Sequence, residues 1–200
     1  MRSIGVFGGT FDPPHVAHLV LASEAQAQLG LDRVLWVLTP TSPHKVEQAI
    51  TPVAVRLEMV RAAIQDDPVF EVSSVDLDRD PPYYAVDTMK LLQQKYPRAM
   101  LVYIMGEDSL RDLPKWHQPE SFLQYCSFLG VMRRPKARVD LSRLAKVIPG
   151  IELKTRFIDI PLLQISSSDI RQSVARGDPF RYYLHEMVYH LVLKHHLYET

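Results

Sequence analysis

Six short apolar runs, at residues 4–7, 34–38, 70–75, 101–105, 128–132 and 157–160, recur along a chain of 200 residues, with helical patterns between most of them. Runs of this length with little polar alternation fit strands buried on both faces, as in parallel sheets. Between them, residues 16–29 carry apolar side chains at helical spacing. Thr51 and Pro52 read as an N-cap followed by proline at the first helical position, and residues 85–95 repeat the helical arrangement. Strand and helix alternating in this way predict an α/β fold, a doubly wound, Rossmann-like parallel sheet with helices on both faces. Ligands bind such sheets beyond the carboxyl ends of the strands. Four segments should emerge there: the glycine turn after the first run, residues 40–45, residues 106–108, and Arg133 with Arg134.

The length suits one α/β domain over residues 1–200, with a small helical portion at the carboxyl end. Lys plus Arg and Asp plus Glu are both 23, so the net charge is zero and the broad basic field of a nonspecific nucleic-acid binder is missing. The single cysteine, Cys126, has no internal disulfide partner, and the first residues enter a strand by Ser3 with no apolar signal segment. No stretch reaches the length of a membrane span. The expectation is a soluble cytoplasmic protein with neither nucleic-acid nor membrane partners. There is no internal repeat or low-complexity tract; residues 76–82 read as an ordered excursion, and residues 133–146 as a solvated basic face with Arg134 the exception.

Residues 8–18 read GGTFDPPHVAH. Gly8 and Gly9 can take positive φ and let backbone amides approach a ligand. The helix start that follows offers unpaired N–H groups and the positive end of the macrodipole. His15 and His18, three apart, share a helix face and can address one anion together. All these features fall within one βα connection, which points to a polyphosphate site. Near the carboxyl end, residues 165–171 read ISSSDIR, so that a hydroxyl can cap a helix with Arg171 one turn in, again suited to phosphate. Lys45, in Pro43-His44-Lys45 after the second run, can reach phosphate across the same edge. Tyr84 and Trp116 lie beside strand-end loops and can stack on a flat ring, although core packing explains tyrosines equally well. Asp108, just past Gly106, can accept ribose hydroxyl protons. His185 and His190 are five apart and diverge by about 140° on a helix, which excludes metal ligation by that pair. Neither Gly-x-x-x-x-Gly-Lys nor Gly-x-Gly-x-x-Gly occurs, so P-loop and hydride-transfer chemistry lack support.

The segment at 8–18 resembles the nucleotidyltransferase superfamily whose signature is a His-x-Gly-His tetrad. Its Gly-Gly-x-Phe-Asp-Pro form is most similar to the bacterial nicotinate mononucleotide adenylyltransferases. Position 17, glycine in the usual tetrad, is Ala17 here. Ser166, Ser168 and Arg171 fill the family's second signature, Ser-x-Thr-x-x-Arg, with serine for threonine. Further segments resemble its Pro-His-Lys, Tyr-Thr-x-Asp-Thr, Gly-x-Asp, Leu-x-x-Trp and Arg-Pro elements; Ala85 replaces the threonine of the second. Residues 182–198 are similar to its terminal helix. The resemblance implies a nucleotidyltransferase-type sheet and transfer of AMP from ATP to nicotinate mononucleotide. It implies His15, His18, Lys45 and Arg171 as catalytic residues. It places Gly8, Gly9, Thr10, Phe11, Gly106, Asp108, Ser166 and Ser168 with those histidines and Arg171 around ATP, and brings His44 with Lys45 toward the triphosphate. On the acceptor side it implies His44, Tyr84, Thr88, Trp116 and Arg134, with Arg133 the alternative to Arg134. No resident metal is expected, and Mg²⁺ should arrive on ATP. Two alternatives stand: transfer to another acceptor, nicotinamide mononucleotide or phosphopantetheine, and a nucleotide-sensing module without turnover. The retained histidines, Lys45 and Arg171 argue against the second. The oligomeric state stays open, a homo-oligomer included.

Overall fold

The computed structural model describes residues 2–41, 50–133, 139–161 and 163–199. The strands are β1 (Ser3–Gly9), β2 (Arg33–Leu38), β3 (Phe70–Ser73), β4 (Met100–Gly106), β5 (Phe128–Met132) and β6 (Thr155–Ile158). Among the described residues they form one parallel sheet in the order β3-β2-β1-β4-β5-β6. Parallel neighbours need long crossovers, and helices supply them. These are α1 (Val16–Leu29), α2 (Val53–Ile64), α3 (Ala85–Lys95), α4 (Glu107–Asp112), α5 (Pro119–Tyr125), α6 (Leu141–Ala145) and α7 (Ile151–Lys154), with α8 (Ser167–Arg176) and α9 (Glu186–Lys194) closing the chain.

Side chains alternate across the sheet and feed a core on each face. Phe7, Trp36 and Ile104 join Leu21 of α1, Met59 of α2, Ile170 of α8 and Val188 of α9. Ile4, Val6 and Tyr103 join Met89 of α3 and Phe122 of α5 on the other side. Burial on both faces is why the strand sequences show little alternation.

Every expected strand is present, with shifted ends set by pairing. β6 lies two residues earlier than the run at 157–160, because its partner β5 ends at Met132, opposite Ile158. β3 stops at Ser73, after which the Ser74 carbonyl accepts from the Leu77 and Asp78 N–H groups and turns the chain. The excursion at 76–82 is ordered, with buried Asp76 paired to Arg79 at 3.0 Å. α2 opens one residue later than expected: Pro52 is the N-cap rather than the first helical residue. The Thr51 peptide is held from both sides instead, its N–H donating to Asp12 Oδ2 at 3.2 Å and its carbonyl accepting from Arg56 Nε at 2.8 Å. The terminal helix is shorter than 182–198. It starts after His185, whose ring accepts from the Met187 N–H, and is followed by His196 at φ 48°, beyond which a helix cannot continue.

β1 pairs with β2 as far as Gly9 and Leu38, but with β4 only as far as Phe7 and Ile104. Beyond that point the two central strands part. The strand order reverses here, and a crevice opens at the carboxyl ends.

Candidate active site

A cleft of about 740 Å³ occupies this crevice. It is lined by Gly8, Gly9, Thr10, Phe11, His15 and His18 from the first βα connection, by Gly106 and Asp108 after β4, by Ser166, Ser168 and Arg171 at α8, and by Tyr84, Thr88 and Trp116. Every sequence-derived site residue within the described residues therefore meets at one place. Lys45, His44 and Arg134 lie outside the described residues. Arg133 is not among the cleft residues; its guanidinium lies over the Phe157 ring, 4.6 Å from the centroid.

The glycines act differently from expectation. Gly8 and Gly9 remain in β1 with no positive φ. They are needed for space: a Cβ on Gly8 would stand 3.0 Å from the Tyr103 hydroxyl, and one on Gly9 would stand 3.1 Å from the Phe11 ring. The left-handed residue of the loop is Phe11, at φ 46°. A Cβ-bearing residue keeps that conformation only when its surroundings hold it. Here they do, since the buried Phe11 ring packs against Phe7, His18 and Trp36 at centroid distances of 5.4, 5.2 and 5.0 Å.

His15 is the N-cap of α1 and His18 lies in its first turn. Their rings stack with centroids 3.6 Å apart and planes 21° apart. The His15 N–H donates to His18 Nδ1 at 3.2 Å, which leaves the proton of a neutral His18 ring on Nε2. His15 Nδ1 is buried without a hydrogen-bond partner among the described residues. Such an atom calls for a ligand or water. Burial pushes the His15 imidazolium down to about 4, against the opposing charge of Asp169, and burial with the neighbouring His15 charge lowers His18 well below the ordinary histidine value. Both rings are neutral near pH 7 in the free protein.

α8 presents its N-terminus to the same cleft. Ser166 is its N-cap and accepts from the Asp169 N–H at 3.1 Å. Arg171 spans the gap between α8 and the first loop, donating through Nη1 to the Asp12 carbonyl at 2.8 Å and through Nη2 to Ser168 Oγ at 3.3 Å. Across the cleft, Gly106 is both the end of β4 and the N-cap of α4, so Asp108 sits in a first helical turn, 3.1 Å from Arg111. Trp116 packs edge-on to Tyr103, and Tyr84 stacks on His117 with centroids 4.1 Å apart. The Thr88 hydroxyl donates to Asp76 Oδ1 at 2.7 Å. Burial raises the Asp76 carboxyl, while the Thr88 and Arg79 hydrogen bonds hold it down. The anion donors thus come from the first loop and α8, while the Tyr84 and Trp116 rings pack against the core on the other face of the sheet.

Sequence reasoning passed over two supports of this site. Arg56, 1 % exposed, donates to the carbonyls of Thr10, Thr39, Pro40 and Thr51 and so joins the first loop to the end of β2. Asp12 gathers Thr51, Arg171 and Tyr198. An arginine inside an amphipathic helix pattern carries no local signal of burial. The Asp12 partners lie 39, 159 and 186 residues away, beyond the reach of any local motif.

The cytidylyltransferase-like family matches residues 6–173. A probable nicotinate-nucleotide adenylyltransferase of Thermomicrobium roseum is 42 % identical over 200 residues, covering 100 % of this chain and 93 % of the relative. The nicotinate-nucleotide adenylyltransferase of Bacillus subtilis is 36 % identical over 204 residues, covering both chains fully. The chain belongs to the nicotinate-nucleotide adenylyltransferase family. In fold it matches the Plasmodium falciparum nicotinic acid mononucleotide adenylyltransferase, solved in complexes with APC and with NaAD, with a TM-score of 0.79, 21 % identity and coverage of 99 % and 98 % of the two chains. Members of the family named here span the length of this chain almost completely. Among the described residues no helix is long and apolar enough to cross a membrane, and no group of three or more His, Cys, Asp or Glu stands ready for a metal ion.

Proposed function

We propose that the chain transfers AMP from MgATP to nicotinate mononucleotide, giving nicotinate adenine dinucleotide and pyrophosphate. The observation that carries this reading is the stacked His15 and His18 pair, with an unpartnered buried ring nitrogen, in a cleft that Tyr84 and Trp116 also line. The phosphate of the mononucleotide attacks the α-phosphorus of ATP, the bond to the bridging oxygen breaks, and pyrophosphate leaves. No covalent intermediate with the protein is required, because positioning and charge stabilisation supply the catalysis. His15 and His18 donate to the α-phosphate and its bridging oxygens. Ser168 and Arg171, with Lys45 by resemblance, stabilise the departing pyrophosphate; Mg²⁺ enters as part of the ATP substrate.

Gly8 and Gly9 leave room for the nucleotide beside Tyr103 and Phe11, and Asp108 receives the ribose hydroxyls. Tyr84, Thr88 and Trp116 face the mononucleotide, with His44 and Arg134 by resemblance. We read residues 1–200 as one nucleotidyltransferase domain, since all six strands share a sheet and the cleft draws on residues from Gly8 to Arg171. A cytoplasmic location is in keeping with the lone buried Cys126. The test is pyrophosphate release from MgATP with nicotinate mononucleotide, nicotinamide mononucleotide and phosphopantetheine offered separately. Fastest release with nicotinate mononucleotide is expected. Preference for another acceptor would reassign Tyr84 and Trp116, and binding of ATP without release to any acceptor would make the protein a sensor.

A further inference from the structure

Asp12, 4 % exposed, is three residues before His15, and three distant segments converge on it. Its Oδ1 accepts from the Tyr198 hydroxyl at 2.6 Å, its Oδ2 from the Thr51 N–H at 3.2 Å, and its carbonyl from Arg171 at 2.8 Å. The first distance is that of a charge-assisted O–H to carboxylate bond. We propose that Tyr198 is a positioning residue of the nucleotide site, latching the loop that carries His15 through the Asp12 carboxylate. This rests on the reading of that loop as the ATP site.

The tail is shaped to bring the phenol to Asp12, with the Thr51 side chain bonded to that phenol as well. After α9 the backbone turns left-handed at His196 and again at Tyr198, with φ of 48° and 66°. Residues with a Cβ keep such angles only where contacts impose them. Leu197 and Tyr198 pack against the core that also holds Phe11, and Lys194 and His195 approach Glu58 of α2 at 3.8 and 3.3 Å. The chain end is thereby held on the same side of the sheet as the phosphate loop, with its phenol aimed at Asp12. Without that phenol a buried carboxylate oxygen loses its donor, and the loop shifts until it finds water. His15 and the Arg171 contact shift with it. The rings of Tyr84 and Trp116 pack against the core on the other face of the sheet, so the disturbance falls on ATP rather than on the acceptor.

Steady-state kinetics of Tyr198→Phe test this. The expected result is a KM for MgATP raised roughly tenfold, the effect of losing one hydrogen bond to a charged group, with the KM for the mononucleotide unchanged. Equal rises in both KM values, or a lowered melting temperature with neither KM moved, would make Tyr198 a fold-wide prop and overturn the proposal. A second measurement needs no variant. Coupling between two sites is reciprocal, so a non-hydrolysable MgATP analogue should slow amide hydrogen exchange at residues 195–199 of the wild-type protein several-fold, while the mononucleotide alone leaves it unchanged. Exchange indifferent to the analogue would also overturn the latch. His18→Ala run in parallel separates the two readings: wild-type turnover there sinks the site assignment, whereas lost turnover there with wild-type ATP kinetics in Tyr198→Phe sinks the latch alone.

Discussion

At the residue scale the site turns on two imidazoles kept neutral. Because His18 Nδ1 accepts from the His15 N–H, its remaining nitrogen is fixed as a donor toward the cleft. A preorganised donor that acts in the transition state is worth about 10²–10³ in kcat. His18→Ala is therefore expected to lose turnover per folded molecule by that factor, together with a fall in melting temperature from the lost packing on Phe11 and His15; unchanged turnover per folded molecule would remove the histidine from the reaction. His15 also leaves a mark on stability. Its folded value of about 4 lies below the ordinary 6.5, so the unfolded chain takes up the proton first as the medium is acidified. The stability held by the neutral ring is complete above pH 6.5 and drains away as pH falls toward 4. At 1.36 kcal/mol per pH unit this amounts to about 3 kcal/mol. Denaturant unfolding at pH 7.5, 5.5 and 4.5 should show a shallower decline in His15→Gln than in the wild type. Parallel declines would mean that the ring is solvated and protonates freely.

At the scale of elements, two helices join the first loop to the rest of the sheet, and they do so in different ways. α2 does it from within, through Arg56. Replacing this arginine by methionine keeps much of the volume but strips the donors from four carbonyls, at a cost of about 3 kcal/mol, or a melting temperature lower by roughly 6–12 °C. A variant as stable as the wild type would show that water replaces the guanidinium. α8 does it from the cleft surface, through Arg171, which is only partly buried. Arg171→Ala should leave the fold intact and raise the KM for ATP, and unchanged ATP affinity would take Arg171 out of the site. The sequence makes the start of α8 legible because cap and arginine sit within one turn, and α1 and α3 have the bounds that their periodicity indicates. It conceals the start of α2, where a tertiary pull on Thr51 overrides the local preference of proline for the first helical position. It likewise misleads on Gly8 and Gly9, since glycine in a strand can signal close packing as readily as positive φ.

At the scale of the molecule, the cleft lies where the strand order of one sheet reverses, and in the proposed function its two substrates load the halves unequally. The residues proposed for ATP come from both sides of the parting strands, from β1 and its loop, from the end of β4, and from α8. The rings proposed for the acceptor, Tyr84 and Trp116, pack against the core of one sheet face alone, the face of α3 and α5. A ligand that bridges both halves binds only the folded chain and stabilises it by RT ln(1 + [L]/Kd), about 2.7 kcal/mol at a hundredfold excess over Kd. For a chain of this size that corresponds to a melting temperature higher by roughly 5–10 °C. MgATP should produce this rise and protect amides in both β1 and β4 from hydrogen exchange. The mononucleotide alone, at the same multiple of its own Kd, should raise the melting temperature comparably but protect the amides of α3 and of residues 113–117 preferentially. The multiple of Kd fixes the size of the rise, whereas the place of the contacts fixes the pattern of protection. If the mononucleotide protected the His15 loop and MgATP did not, the places of the two substrates in the cleft would have to be exchanged.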